Sequence, residues 1–295
     1  MIRKLSKSKK TDKKRSEWGR ALRKAFSQPL IVTGFLLICI LVVVAIFAPF
    51  LAPYEVNDRD WHARLVPPSA EHLLGTDDSG ADILSKVIFG CRTTIRLSTT
   101  VALVAAGIGV SLGLVSAYWK GFIDTFIMRV ADIFMCIPGL VLAIAVIVML
   151  GPGLFNVMLA LVIVRWPQYA RLSRAKALLV REQDFMQAAI GIGCSSVRCI
   201  FKHMLPNVIG PVLVYATMDM GAIILVAAGL SFLGLGAGPG SAEWGRMVAD
   251  GRSLFFQQPW LVFFPGGAIL LSVLGFNLMG DGLRDLLDPK TRHAP

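Results

Sequence analysis

The sequence predicts an all-α protein that crosses a membrane several times, and three observations predict it. Hydrophobic residues fill 55% of the 295 positions and charged residues only 17%, against about 25% in soluble domains. The charges cluster: none lies between Lys24 and Glu55, Arg96 and Lys120, Asp132 and Arg165, Asp219 and Glu243, or Arg252 and Asp281. Each silent stretch is long enough to hold the roughly 20 apolar residues that a helix needs to cross the hydrocarbon layer. Little chain is left for a separate soluble core.

The runs predict six spanning helices, at 29–51, 97–119, 123–149, 154–172, 207–235 and 259–280. The first is longer than the roughly 7–15 residues of a signal-peptide core and no A-x-A site follows, so it reads as an uncleaved signal anchor. It follows a basic arm, 1–28, with eleven of the thirty Lys and Arg residues in its first 24 positions. Such a block beside an apolar span orients the chain and favours anionic lipid. The net charge of +11 is therefore not a sign of nucleic acid, for which no aromatic or base-reading motif follows. Spans three and four are separated only by the turn Gly151–Gly153. The fourth is short, with Arg165 and Pro167 near its end.

Six spans put both termini on one side, and the basic residues choose which. The arm and the segment from Arg171 to His203 are rich in Lys and Arg, whereas the outer connections balance or run acidic. The expected division is a cytoplasmic arm at 1–28, a first helix at 29–51 and a periplasmic segment at 52–93. A core at 94–283 follows, with a cytoplasmic loop at 173–206, and then a cytoplasmic tail at 284–295. The 236–258 connection faces outward.

The cytoplasmic loop contains "DFMQAAIGIGCSSVRCIFKHMLPN", Asp184 to Asn207. Asp184 is placed to N-cap a short helix, with Gln187 bonding back to the cap. Gly191 and Gly193 end that helix and allow a sharp bend. Ser195 or Ser196 caps a second helix, whose stripe is Val197, Ile200, Phe201 and Met204. Pro206 starts the next span. An amphipathic pair of this kind lies on lipid headgroups or docks on a protein, and helix physics leaves both open.

The spacing of Ala188, Ala189, Gly193, Leu205 and Pro206 resembles the cytoplasmic loop of ATP-binding-cassette importer permeases, E-A-A followed by a glycine and I-x-L-P. Gln187 stands at the family's glutamate and His203 at its isoleucine. "LLGTDDSGADILSKVIFGCR", "IMRVADIFMCIPGLVLAIA", "AGLSFLGLGAGPGSAEWGRMVADGR" and "GFNLMGDGLRDLLDPK" resemble the C-type subunit of the dipeptide, oligopeptide and nickel permeases, with Ala81 at that family's arginine. The resemblance implies the six-helix type I importer permease fold in a bacterial inner membrane. It also implies a second homologous permease subunit, two cytoplasmic ATPases and a periplasmic substrate-binding protein. The loop, including Asp184, Gln187 and Phe201, would carry the push of ATPase closure to the spans. Peptides are the implied cargo, with nickel or a metal chelate as the alternative.

No G-x-x-x-x-G-K-[ST] occurs, so ATP and Mg are expected on the partner subunits and no cofactor on this chain. The cysteines lack metal-ligand spacing, no disulfide framework is expected, and His62, His72, His203 and His293 lie outside the spans. Asp219 is a lone acid deep in the fifth span, about 20 Å from Pro206. It reads as a charge lining the translocation path, or as a neutralised acid bonded to a neighbouring helix. Met218 and Met220 beside it are candidates for the same path, as soft ligands, or are gap fillers. Arg129 and Asp132 are spaced for an ion pair within the third span. Glu243, Trp244 and Arg246 belong to an outward loop that caps the path, meets the binding protein, or lies at the interface through Trp244. Asp77, Asp78 and Asp82 read as turn chemistry, with no calcium assigned. A secondary transporter would show an internal repeat and several buried ionisable groups. A membrane-embedded enzyme would show paired catalytic residues within its spans. Neither pattern is seen.

Overall fold

The computed structural model describes residues 29–56 and 58–287; the basic arm and the end of the tail lie outside them. The long helices are α1 (Pro29–Leu51), α2 (Ile83–Trp119), α5 (Leu154–Arg181), α8 (Leu205–Phe232) and α10 (Trp260–Leu287). Shorter ones are α3 (Gly121–Cys136), α4 (Gly139–Leu150), α6 (Asp184–Gly191), α7 (Ser196–Arg198) and α9 (Trp244–Gly251). Among the described residues, four helical stretches are long and apolar enough to cross a membrane: α1, α2, α8 with the turns before it, and α10. Helix α3 with α4 makes a fifth if that bent pair is one span, so α5, predicted as the fourth of six spans, is not among them.

Three predicted boundaries move, each for a local reason. Helix α2 begins at Ile83 rather than 97, because Asp82 caps it by accepting from the Ser85 N–H at 2.8 Å. The predicted span 123–149 is broken by an 89° bend between α3 and α4. Pro138 disfavours helical geometry in the residue before it, and Ile137 is extended (φ −93°, ψ 131°). Helix α5 does not stop at 172 but runs on to Arg181, through Pro167. Its polar residues do not end it, because neighbouring helices supply partners for them.

Those partners also correct the ion pair expected within the third span. Asp132 takes Arg171 of α5 instead of Arg129, and Asp124 takes Arg174 through two bonds of 2.5 and 2.6 Å. A bidentate guanidinium fixes orientation as well as distance. Lys120, at the turn between α2 and α3, bonds Glu182 at 2.9 Å and holds its carboxyl below the usual range. The end of α5 is thus clamped to the end of α2.

Helices α2 and α5 pack closely because both offer small residues. A Cβ at Gly109 would lie 2.5 Å from the Trp166 carbonyl oxygen, and one at Gly113 2.4 Å from that of Ala170. Ser173 Oγ bonds back to the Gly109 carbonyl at 3.3 Å. Small residues four apart let helix backbones meet in lipid, where dispersion and interhelical bonds replace the hydrophobic effect. Helix α1 meets α10 in the same manner, Gly34 lying against the backbone at Leu278 and Met279.

The opposite end of α2 is covered by the 52–82 segment. Asp77 accepts from Ser79, from the Ala81 N–H and from Lys86 Nζ at 2.5 Å. Burial raises its pKa, but Lys86 and these bonds outweigh burial and leave the carboxyl below its usual value. Asp82 also holds the buried His72 at 3.1 Å. The Asp77 and Asp82 carboxylates are held as turn and cap groups, while exposed Asp78 offers its backbone carbonyl to Arg64. Asp82→Ala removes a cap and orphans His72; a cost of about 1–2 kcal/mol is expected, measured as a lowered midpoint of thermal unfolding in detergent.

Candidate functional site: an elbow, a buried polar rung and a plug

The elbow follows directly from the end of α5. Only Glu182 and Gln183 separate α5 from α6, so Gln183 takes the extended cap geometry (φ −77°, ψ 147°) and Asp184 is the first helical residue. The predicted Asp184 cap and its reciprocal Gln187 bond are therefore not formed. Asp184 instead faces the positive helix end, and Gln187 Nε2 donates to the Arg181 carbonyl at 2.8 Å, tying α6 to α5. Gly193 has φ +80° and ends α6 in a Schellman motif: its N–H bonds Ile190 O at 2.9 Å, and the Cys194 N–H bonds Ala189 O at 3.0 Å.

The second helix is also not the regular one expected. Ser195 occupies its cap position without a side-chain bond, and after Arg198 the chain winds as a π-helix over Cys199–Met204. The wider turn splits the predicted stripe. Ile200 and Met204 are buried, whereas Val197 and Phe201 are exposed. Met186, Cys199, Met204 and Val208 join Tyr169 and Leu114 in one core, so the elbow is rooted among α2, α5 and α8. Phe185, Ile192 (86% exposed), Val197 and Phe201 (64%) face outward as an unfilled apolar surface. Ala189 is buried, Gln187, Ala188 and Pro206 are exposed, and Leu205 lies between.

The buried rung joins α5 to α8. Asp219 is 4% exposed, accepts from Tyr169 Oη at 3.0 Å and pairs with Arg165 Nη1 at 3.2 Å. One turn away Tyr215 Oη donates to Gln168 Oε1 at 2.7 Å, and the Tyr169 and Tyr215 rings meet edge to face. The polar "RWPQY" of α5 thus faces "YATMD" of α8. Of the two sequence readings for Asp219, the geometry supplies the bond to a neighbouring helix, with a guanidinium countering the charge. Met218 lies against Gly280 of α10, and Met220 packs on the core of α2, α4, α5 and α8. Both methionines fill gaps.

The plug is α9. Glu243 caps it, accepting from the Gly245 and Arg246 N–H groups at 3.0 and 2.8 Å, and Arg246 pairs with Asp250 at 2.7 Å. Burial pushes the Glu243 carboxyl up. Trp244 does not lie at an interface. It is buried, donates to the Val87 carbonyl at 2.9 Å and stacks where a Cβ on Gly90 would intrude. Helix α9 is therefore keyed into the N-terminal end of α2.

The helical body thus carries an elbow at one end and a plug at the other. Residues 109–293 match the family described as Binding-protein-dependent transport system inner membrane component, and residues 16–68 the N-terminal TM domain of oligopeptide transport permease C. The chain belongs to that family of inner-membrane permeases.

It is 48% identical to the probable D,D-dipeptide transport system permease protein DdpC of Escherichia coli K12, over 89% of this chain and 88% of the relative. It is 42% identical to the dipeptide transport system permease protein DppC of Alkalihalophilus pseudofirmus, over 94% and 91%. Identity to the glutathione transport system permease protein GsiD of Escherichia coli O157:H7 is 40%, over 96% and 94%. The fold matches the inward-facing MetNI methionine ABC transporter with a TM-score of 0.57 at 16% identity, covering 69% of this chain and 97% of that one. The protein is a multi-pass inner-membrane permease subunit of an ATP-driven ABC importer, and works in complex with other subunits.

Proposed function

We propose that this chain forms half of a peptide translocation path and that its elbow receives the force that drives it. A second, homologous permease subunit completes the path. Two cytoplasmic ABC ATPases bind ATP and Mg and press on the elbow, and a periplasmic binding protein delivers the peptide near the plug. Both termini and the elbow then lie in the cytoplasm, in keeping with the basic arm and the basic 171–203 segment. The relatives' roles in dipeptide and glutathione transport favour peptide over nickel or a metal chelate.

One observation carries the reading. The elbow is apolar and exposed on its outer side, yet buried at Met186, Cys199 and Met204 on its inner side. A lipid-lying helix pair needs only the first property. A lever needs both, because displacement of its outer face must reach α2, α5 and α8.

The angle of the lever is set at Gly193, where no neighbouring atom lies within 4 Å of a Cβ but φ is +80°. Only the backbone conformation restricts this position. Gly193→Val is expected to lower uptake of a labelled dipeptide at least about tenfold while the chain still inserts, since a β-branched residue is strained there by about 1–3 kcal/mol. Gly193→Asn, which tolerates a left-handed backbone, should keep most of the uptake. Normal uptake and ATPase stimulation in the valine variant would remove the bend from the coupling path.

A further inference from the structure

Two cysteines meet across the bend of the elbow, at positions the fold itself brings together. With Ser195 at the cap of the second helix, Cys194 is the residue before the cap and Cys199 the fourth helical residue. Side chains at those two positions pack on each other as a staple that fixes how the chain enters a helix. Here the staple is made of thiols. Cys199 Sγ lies 3.7 Å from the Cys194 carbonyl oxygen, to which it donates, and Cys194 packs against the core that holds Cys199. Cys199 is fully buried, whereas Cys194 is half-buried at the surface of the same core. Through its N–H bond to Ala189, Cys194 belongs to the end of α6; Cys199 opens the π-helical turn. A bond between the sulfurs would span the hinge at Gly193.

We propose that Cys194 and Cys199 form a reversible thiol switch that disengages the elbow when a hydroperoxide oxidises it; this rests on the elbow being the force-receiving element. The more accessible Cys194 thiolate attacks a peroxide oxygen, the O–O bond breaks, and sulfenic acid and one water form. Cys199 Sγ then attacks the sulfenic sulfur, and a second water leaves. Two thiols and one hydrogen peroxide give one disulfide and two waters, with two electrons passing to the peroxide. A disulfide covalently ties the π-helical turn to the α6 cap across Gly193, so the hinge loses its freedom to change angle. Because Cys199 is rooted in the core with α2, α5 and α8, the locked hinge alters how the elbow's motion reaches those helices. A cytoplasmic thiol pair is kept reduced at rest, so the bond is transient and regulatory rather than structural.

Trypsin cuts after Arg181, Arg198 and Lys202, and the two cysteines therefore fall on separate peptides, 182–198 and 199–202. The complete importer in proteoliposomes is treated with hydrogen peroxide, alkylated and digested, and dipeptide uptake is measured in parallel before and after dithiothreitol. The expected result is a linked 182–198/199–202 pair, and an uptake loss of at least about fivefold, the low end of ordinary coupling factors. Dithiothreitol should reverse both. Cys194→Ser and Cys199→Ala complexes should lose both responses; the first alters only a half-buried position and guards against misfolding of the second. Absence of the linked pair overturns the proposal, as does linkage without loss of uptake, or equal inhibition of Cys194→Ser. If the reduced wild-type complex moves no peptide, the functional reading fails and the switch with it, while the linked peptides still report whether the bond forms.

Discussion

Asp219→Ala is expected to destabilise the protein by about 3–5 kcal/mol, the usual cost of removing one partner from a buried ion pair. The substitution leaves the Arg165 guanidinium, 14% exposed, among α5, α8 and the core, with Tyr169 Oη also stripped of its acceptor. Arg165 Nε has no hydrogen-bond partner even in the intact rung, so little reserve exists to absorb the loss. The measurable result is a lower yield of monodisperse protein and a depressed unfolding midpoint in detergent. An apolar replacement of both partners, Arg165→Met with Asp219→Leu, should recover most of the loss, because the desolvation of two charges disappears along with their attraction. Uptake by that double variant separates the two readings of Asp219. Normal transport makes the rung a structural tie between α5 and α8; a stable but inactive complex assigns the charge to the path. An Asp219→Ala protein as stable as wild type would show that the pair holds nothing together.

The spans of α1, α2, α8 and α10 were legible because their signal is local: a charge-free run of twenty residues reads the same in any fold. The exceptions are those whose answer depends on a neighbour. The continuation of α5 to Arg181 looked like a basic loop, because Arg171 and Arg174 find Asp132 and Asp124 across sequence separations of 39 and 50 residues. Likewise Asp219 was recognised as costly, but Arg165 was visible only as a charge near a span end. The bend at Pro138 was available in principle, since a proline restricts the residue before it wherever it occurs. In the elbow, the glycine bend was legible from residue type. The π-helical winding was not, and it decides that Phe201 points outward while Met204 points in. Trp244 shows the same limit from the other side: its amphipathic ring suits an interface, and only the gap left by Gly90 shows that it is buried.

The contact between α2 and α5 makes the second large prediction. Gly109 and Gly113 form a G-x-x-x-G pair whose signal lay in plain sight in "GVSLG". A Cβ at Gly113 would lie 2.1 Å from Ser173 Oγ and 2.9 Å from the Arg174 backbone nitrogen; one at Gly109 would lie 2.5 Å from Tyr169 Cβ. The nearest groups include helical backbone, which cannot rotate aside as a side-chain tip can, so the helices themselves must separate. Gly113→Ala and Gly109→Ala are each expected to cost about 2–3 kcal/mol, as overpacking does in a tight core, and the pair together should not add simply, because both act on one interface. Gly113→Leu should leave no folded chain to extract. Gly107 is the internal control: it lies on the same helix with no atom within 4 Å of a Cβ, so Gly107→Ala should be neutral or slightly stabilising through helix propensity. The consequence reaches function, because separating α2 from α5 displaces Tyr169 and with it the anchor of Asp219, and loosens the core in which Met186 and Met204 root the elbow. Thermal unfolding of the three alanine variants, alongside dipeptide uptake, checks the order. If Gly113→Ala unfolds at the same temperature as Gly107→Ala, the close approach of α2 and α5 is not what holds the body together.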